Sequence, residues 1–129
     1  PVLFFDSLQQ RWRIIGRVVE VYPDYSKVSL ITSSLFSFVV MTKESKGLAI
    51  SEGGGKILYR YVDGKFHDDE DVVTADTSYT FPPNIYVGKI SNVKNNSSDK
   101  VSQANISFLP VKEIDYVYVL SWKPYLIRE

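Results

Sequence analysis

His67 is the single histidine among 129 residues, so any imidazole chemistry must run through it. Serine-type catalysis needs a histidine oriented by a carboxylate on one ring nitrogen, with a serine hydroxyl delivered to the other. His67 stands in Asp63-Gly64-Lys65-Phe66-His67-Asp68-Asp69-Glu70-Asp71, and no serine has the Gly-x-Ser-x-Gly setting. Adjacent carboxylates hold such a ring in solvent, and charge runs of this kind face water. Asp68, Asp69, Glu70 and Asp71 also offer oxygens to a calcium ion. Calcium loops alternate their ligands and turn on a glycine, whereas consecutive side chains diverge. A solvated turn leading into a strand at Val72 accounts for the stretch. Cysteine is absent, which removes Cys/His zinc sites, thiol catalysis and disulfides. No catalytic residue, metal ligand set or cofactor site is assigned, and the chain is expected not to be an enzyme.

Two further patterns bear on ligands. Gly53-Gly54-Gly55-Lys56 has the composition of a phosphate-cradling loop, but that chemistry needs a helix N-terminus after the glycines. Ile57-Leu58-Tyr59-Arg60-Tyr61-Val62 follows instead and alternates as a strand, which makes the glycines a hairpin connection. Tyr59 and Tyr61 are expected to share one face of that strand, with Arg60 opposite. Such a pair can stack bases of single-stranded nucleic acid, or it can be an ordinary cross-strand pair. Lys plus Arg and Asp plus Glu number 15 each, so there is no basic excess for gripping phosphates. An OB-like β-barrel binding single strands is therefore the alternative function, not the first.

The elements that must carry these residues are strands. Nine Tyr, seven Phe and many Val and Ile suit a pleated, half-buried surface. Strand-like runs read Arg13–Val21, Lys27–Thr32, Ser37–Thr42, Gly47–Ser51, Lys56–Val62, Asp71–Ala75, Ile85–Val93, Val101–Leu109 and Tyr116–Ser121. Pro23-Asp24, Asp63-Gly64, Pro82-Pro83-Asn84 and Asn95-Asn96-Ser97-Ser98 are among the turns between them. The best helical candidate, Phe5 to Trp12, is short. Ile15-Gly16-Arg17-Val18 with Lys27-Val28-Ser29 resembles Val87-Gly88-Lys89-Ile90 with Lys100-Val101-Ser102, and each glycine marks a bulge or bend. The expected fold is all-β, with two small β-barrel-like subdomains packed together and little helix. One module fills residues 1–129, with repeat units near 13–42 and 85–121 and crossover strands over 47–75. No run approaches the roughly 20 apolar residues of a membrane helix. The start at Pro1 leads to the expectation of an excised piece of a longer protein.

With no catalytic constellation, apolar residues at loops and termini point to protein contact. They are Val2-Leu3-Phe4-Phe5, Phe81-Pro82-Pro83 and Trp122-Lys123-Pro124-Tyr125. Phe81, Pro82, Pro83 and Tyr86 are the candidate partner-binding residues, because prolines hold a side chain out at little ordering cost. The structural alternative makes Phe81 a plug in the seam between two subdomains, with the diproline setting the crossover angle.

Several stretches resemble a family. Ile14-Ile15-Gly16-Arg17-Val18-Val19-Glu20-Val21 and Val28-Ser29-Leu30-Ile31-Thr32 are similar to the central β region of the bacterial rod-shape protein family MreC. Asp71-Val72-Val73-Thr74 and Phe81-Pro82-Pro83-Asn84-Ile85-Tyr86-Val87-Gly88-Lys89-Ile90 resemble that family's most recognisable stretch. Pro110 with Ile114-Asp115-Tyr116-Val117-Tyr118-Val119-Leu120 looks like its closing strand. The likeness runs from about Arg13 to Leu120. Ala75-Asp76 replaces the family's Ser-Gly, and Asn84 stands for its glycine, a residue that also tolerates a left-handed turn. The resemblance implies a non-enzymatic scaffold of the cell-wall elongation machinery, the elongasome, that maintains rod shape. It implies no cofactor, and a place on the periplasmic side of the inner membrane, held by a single-pass anchor. It further implies self-association as a homodimer and contact with MreD, MreB, RodA and the class B penicillin-binding transpeptidase of peptidoglycan synthesis.

Overall fold

The computed structural model describes residues 2–6, 11–33, 36–53, 56–76, 81–96, 101–108 and 117–121. These form ten strands: β1 Val2–Asp6, β2 Arg11–Val21, β3 Ser26–Leu30, β4 Ser37–Met41, β5 Ser45–Gly53, β6 Lys56–Gly64, β7 Asp71–Thr74, β8 Tyr86–Asn96, β9 Val101–Ser107 and β10 Tyr118–Val119. No described residue is helical. Six strands run β8-β7-β4-β5-β6-β9, and β9 pairs back onto β8, which closes a barrel. The other four form an open sheet, β10-β1-β2-β3. The two meet at one parallel bridge, Arg13 of β2 with Tyr86 of β8.

Period-two alternation builds the barrel. Phe38 and Val40 of β4, Ile57 and Tyr59 of β6, Val72 and Thr74 of β7, and Ala104 and Ile106 of β9 are buried, with more exposed residues between them. Small residues, Ser45, Gly47, Ala49 and Ser51, occupy the inward positions of β5. A narrow barrel fills its interior by setting small side chains opposite large ones, and here the large partner is Tyr59. The stretch over 47–75, grouped in the sequence as a crossover, supplies three barrel walls: β5, β6 and β7. Ser37–Met41 pairs with β5 and β7, not with the hairpin that precedes it. Inward-facing runs on β4 to β7 would each leave one apolar face in water unless they closed on one another.

The two glycine-bearing hairpins are both present. β2 and β3 pair antiparallel with a register shift beyond Val18, and β8 and β9 pair with one beyond Ser91. A side chain at Gly16 would strike the Ser29 carbonyl, and one at Gly88 would strike that of Ser107. The spatial counterpart of Ser29 is therefore Ser107 rather than Ser102, because β8 and β9 reach out to Asn96 and Val101 before turning.

Two expectations change at the N-terminus. Phe5 to Trp12 is not a helix at its described ends: Phe5 pairs with Trp12 and Asp6 with Arg11 in a β1–β2 ladder. Edge-on packing of the Phe5 and Trp12 rings at 5.1 Å is the sort of cross-strand contact that favours pairing. Residues 7–10 lie outside the described set. Val2 and Leu3 are buried rather than presented, since β1 is an inner strand between β2 and β10. The Trp122-Lys123-Pro124-Tyr125 stretch lies outside the described residues.

Candidate functional site

Thr74 and the Phe81–Tyr86 stretch are separated in sequence and form one structure. Asn84 has φ of 66°, the left-handed conformation that a turn led by Pro83 requires at its next position. The ends of that turn, the Pro82 carbonyl and the Ile85 amide, are bridged by the Thr74 hydroxyl. Thr74 Oγ1 donates to Pro82 O at 2.6 Å and accepts from Ile85 N–H at 2.9 Å. The Thr74 backbone adds two more bonds, its N–H to Ile85 O and its carbonyl from Asn84 N–H, both at 2.9 Å. A fully buried threonine thus satisfies every polar group it brings into the core.

The turn presents two aromatic side chains inward. Phe81 is 0% exposed. Its ring lies parallel to Phe36 at 6.0 Å and edge-on to Phe38 at 5.1 Å. Phe36 sits where the chain passes from β3 to β4, and the Arg17 guanidinium of β2 lies 5.5 Å from its ring centre. Tyr86 is also buried, and two guanidinium groups of β2 cover its ring, Arg11 at 3.4 Å and Arg13 at 4.6 Å. Of the four candidate contact residues, Phe81 and Tyr86 are spent inside the chain, Pro82 is half-buried and Pro83 is exposed. Phe81 packs between Phe36 of the β3–β4 passage and Phe38 of the barrel.

Charges flank this seam. Asp71 of β7 meets Lys89 of β8 at 3.0 Å and Arg11 of β2 at 3.5 Å. Partial burial pushes the Asp71 carboxyl up, but the hydrogen bond and charge of Lys89, with Arg11 behind it, outweigh this and hold it below the usual range. The same hydrogen bond raises the Lys89 ammonium against a smaller effect of burial.

His67 lies in water with 79% of its side chain exposed. Its backbone N–H donates to Glu70 Oε1, and its Nδ1 is 3.0 Å from the Asp68 carbonyl. The acidic stretch is tied to β8 by Val93 N–H to Asp68 Oδ1 and by backbone bonds between Asp69, Glu70 and Ile90. Phe66 from this loop packs edge-on against Tyr59. The Tyr59 hydroxyl is 2.8 Å from Ser45 Oγ, which is 2.5 Å from Thr42 Oγ1. Burial raises the Tyr59 pKa against hydrogen bonding with Ser45 and Thr42, and the Glu70 charge raises it further. Tyr59 and Tyr61 do not share a face: Tyr59 is 0% exposed and Tyr61 68%. A bulge opposite Gly47 and a left-handed φ of 55° at Tyr61 reverse the alternation there. A stacking platform built from both tyrosines is therefore not formed.

The exposed apolar surface lies largely on the four-stranded sheet. Val19, Val21, Tyr22 and Tyr25 are exposed on the β2–β3 hairpin, where the two tyrosine rings stack at 4.7 Å. At the other edge Trp12 packs on Tyr118, and Val117, Val119 and Leu120 are open to solvent beside them. The hairpin patch escaped the sequence reading. Its one signal was the break in alternation at Val18-Val19 and Val21-Tyr22, which looks like an ordinary strand end.

The chain matches the family described as "Rod shape-determining protein MreC, barrel core" over residues 8–121. No curated protein sequence matches it. It is similar to a solved structure titled "MreC", with a TM-score of 0.63 and 24% identity over 74% of this chain. That likeness is one of fold, and the chain spans 58% of the length of that structure.

Proposed function

The chain belongs to the MreC family, and from that premise we propose that it is a non-enzymatic scaffold of cell-wall elongation that helps maintain rod shape. The observation that carries the reading is the family match over most of the chain. The described surface supports it. Exposed valines and aromatics lie on the hairpin and at the β1–β10 edge, and apolar area of this kind serves protein contact. The proposed setting is the periplasmic face of the inner membrane. The proposed partners are a second copy of the chain, MreD, MreB, RodA and the class B transpeptidase. Among the described residues no helix is long and apolar enough to cross a membrane.

Complementation tests the role. A rod-shaped bacterium depleted of its own family member should regain rod shape when it carries the full-length protein that contains this chain. Persistent rounding at normal protein level would refute the role. Co-purification of cross-linked envelope proteins then reads which partners are held.

A further inference from the structure

We infer that the Phe81–Tyr86 turn is the joint that fixes the angle between the four-stranded sheet and the barrel. Apolar burial holds the two together, because Leu3, Ile14 and Ile31 belong to the same core cluster as the barrel interior. Burial of that kind is non-directional and does not by itself set an angle. Directional contacts do, and they converge on this turn. The only backbone bridge between β2 and the barrel among the described residues ends at Tyr86. The guanidinium groups of Arg11 and Arg13 lie over the Tyr86 ring, and Arg11 also reaches Asp71. At the other end of the turn, Phe81 lies parallel to Phe36, which in turn carries Arg17 of β2. The turn itself has little freedom. Two prolines fix its backbone, and Thr74 ties both of its ends to β7. A rigid piece of the barrel therefore grips β2 at two points, and the exposed β2–β3 hairpin is presented at a set direction relative to the barrel wall. The consequence is mechanical and stands whatever partner the surfaces meet.

The chain has no cysteine, so two introduced cysteines can carry spin labels alone. Asp24→Cys at the hairpin and Asp63→Cys on the barrel report the angle. Glu52→Cys with Asp63→Cys reports the barrel alone. All three positions are exposed. In the otherwise unchanged protein both distance distributions should be narrow. Tyr86→Leu keeps apolar volume but removes the face on which the arginines lie. Arg11→Gln, at a partly exposed site, removes one of those arginines with little risk to folding. Each should widen the hairpin–barrel distribution about twofold, as sub-global motion would, and leave the barrel pair unchanged. If Tyr86→Leu does not fold, Arg11→Gln decides alone. A hairpin–barrel distribution that stays narrow in the folded variants would overturn the inference. So would equal widening of both pairs, which would mean general loosening of the core.

Discussion

Removing the Thr74 hydroxyl tests whether the turn depends on it. In Thr74→Val the shape is nearly kept and two hydrogen bonds are lost, Oγ1 to Pro82 O and Ile85 N–H to Oγ1. Each such bond contributes about 0.5–1.5 kcal/mol net, and a buried group left unpaired costs about 1–3 kcal/mol. The added methyl recovers roughly 0.8 kcal/mol of burial. The balance is a loss of about 2 kcal/mol, which for a chain of this length lowers the midpoint of thermal unfolding by roughly 6–10 °C. Thr74→Ser is the control, since it keeps both bonds and removes one methyl, for a cost of about 1 kcal/mol. Urea unfolding of both variants, with unchanged slope, measures the two losses. The hydrogen-bond account requires the valine variant to be the weaker protein. A serine variant that loses more, or a valine variant within about 0.5 kcal/mol of the parent, would show that packing at this site matters and the bridge does not.

Three further outcomes follow. Phe81→Ala should cost about 3–5 kcal/mol in thermal or urea unfolding, the range for truncating a buried phenylalanine. A loss near zero with weakened self-association or partner binding would instead make Phe81 a contact residue. His67→Ala should change stability by less than about 0.5 kcal/mol, and shape complementation by the full-length variant should remain intact. Loss of complementation by a folded, normally abundant variant would count against the solvated-loop reading. Asp71 has a carboxyl pKa lowered by folding, so its contribution is present above the unfolded value of 3.8 and is lost as pH falls through the folded value. Lys89 has a raised pKa, so its contribution is present below 10.5 and is lost as pH rises through the folded value. The half-exposed pair is worth at most about 1 kcal/mol. Asp71→Asn should therefore narrow the stability difference between neutral pH and the acid limb, and an unchanged acid limb would refute the pairing.

Much of the architecture lies in local pattern. Runs rich in Val, Ile, Tyr and Phe, set off by turn residues such as Asp63-Gly64 and Pro82-Pro83-Asn84, place nine of the ten strands formed by the described residues, because these side chains suit a pleated, half-buried surface. The all-β class, the two bulged glycine hairpins and the solvent-facing His67 follow from the same local chemistry, and the family resemblance rests on the Phe-Pro-Pro stretch. Tertiary structure decided what local pattern does not encode. Which strands become neighbours depends on closure of the whole ladder, so β4 joins the barrel and the first hairpin does not. Tyr61 turns outward because a bulge, invisible in strict alternation, reverses its face. Phe81 and Tyr86 look like surface anchors beside a diproline, and they are buried because β2 and the β3–β4 passage arrive over them. Thr74 gains its role only when the turn eight to eleven residues later folds back to its hydroxyl. The residue types were legible in each case. Their partners were not, because a contact between distant segments is set by the packing of all the strands together.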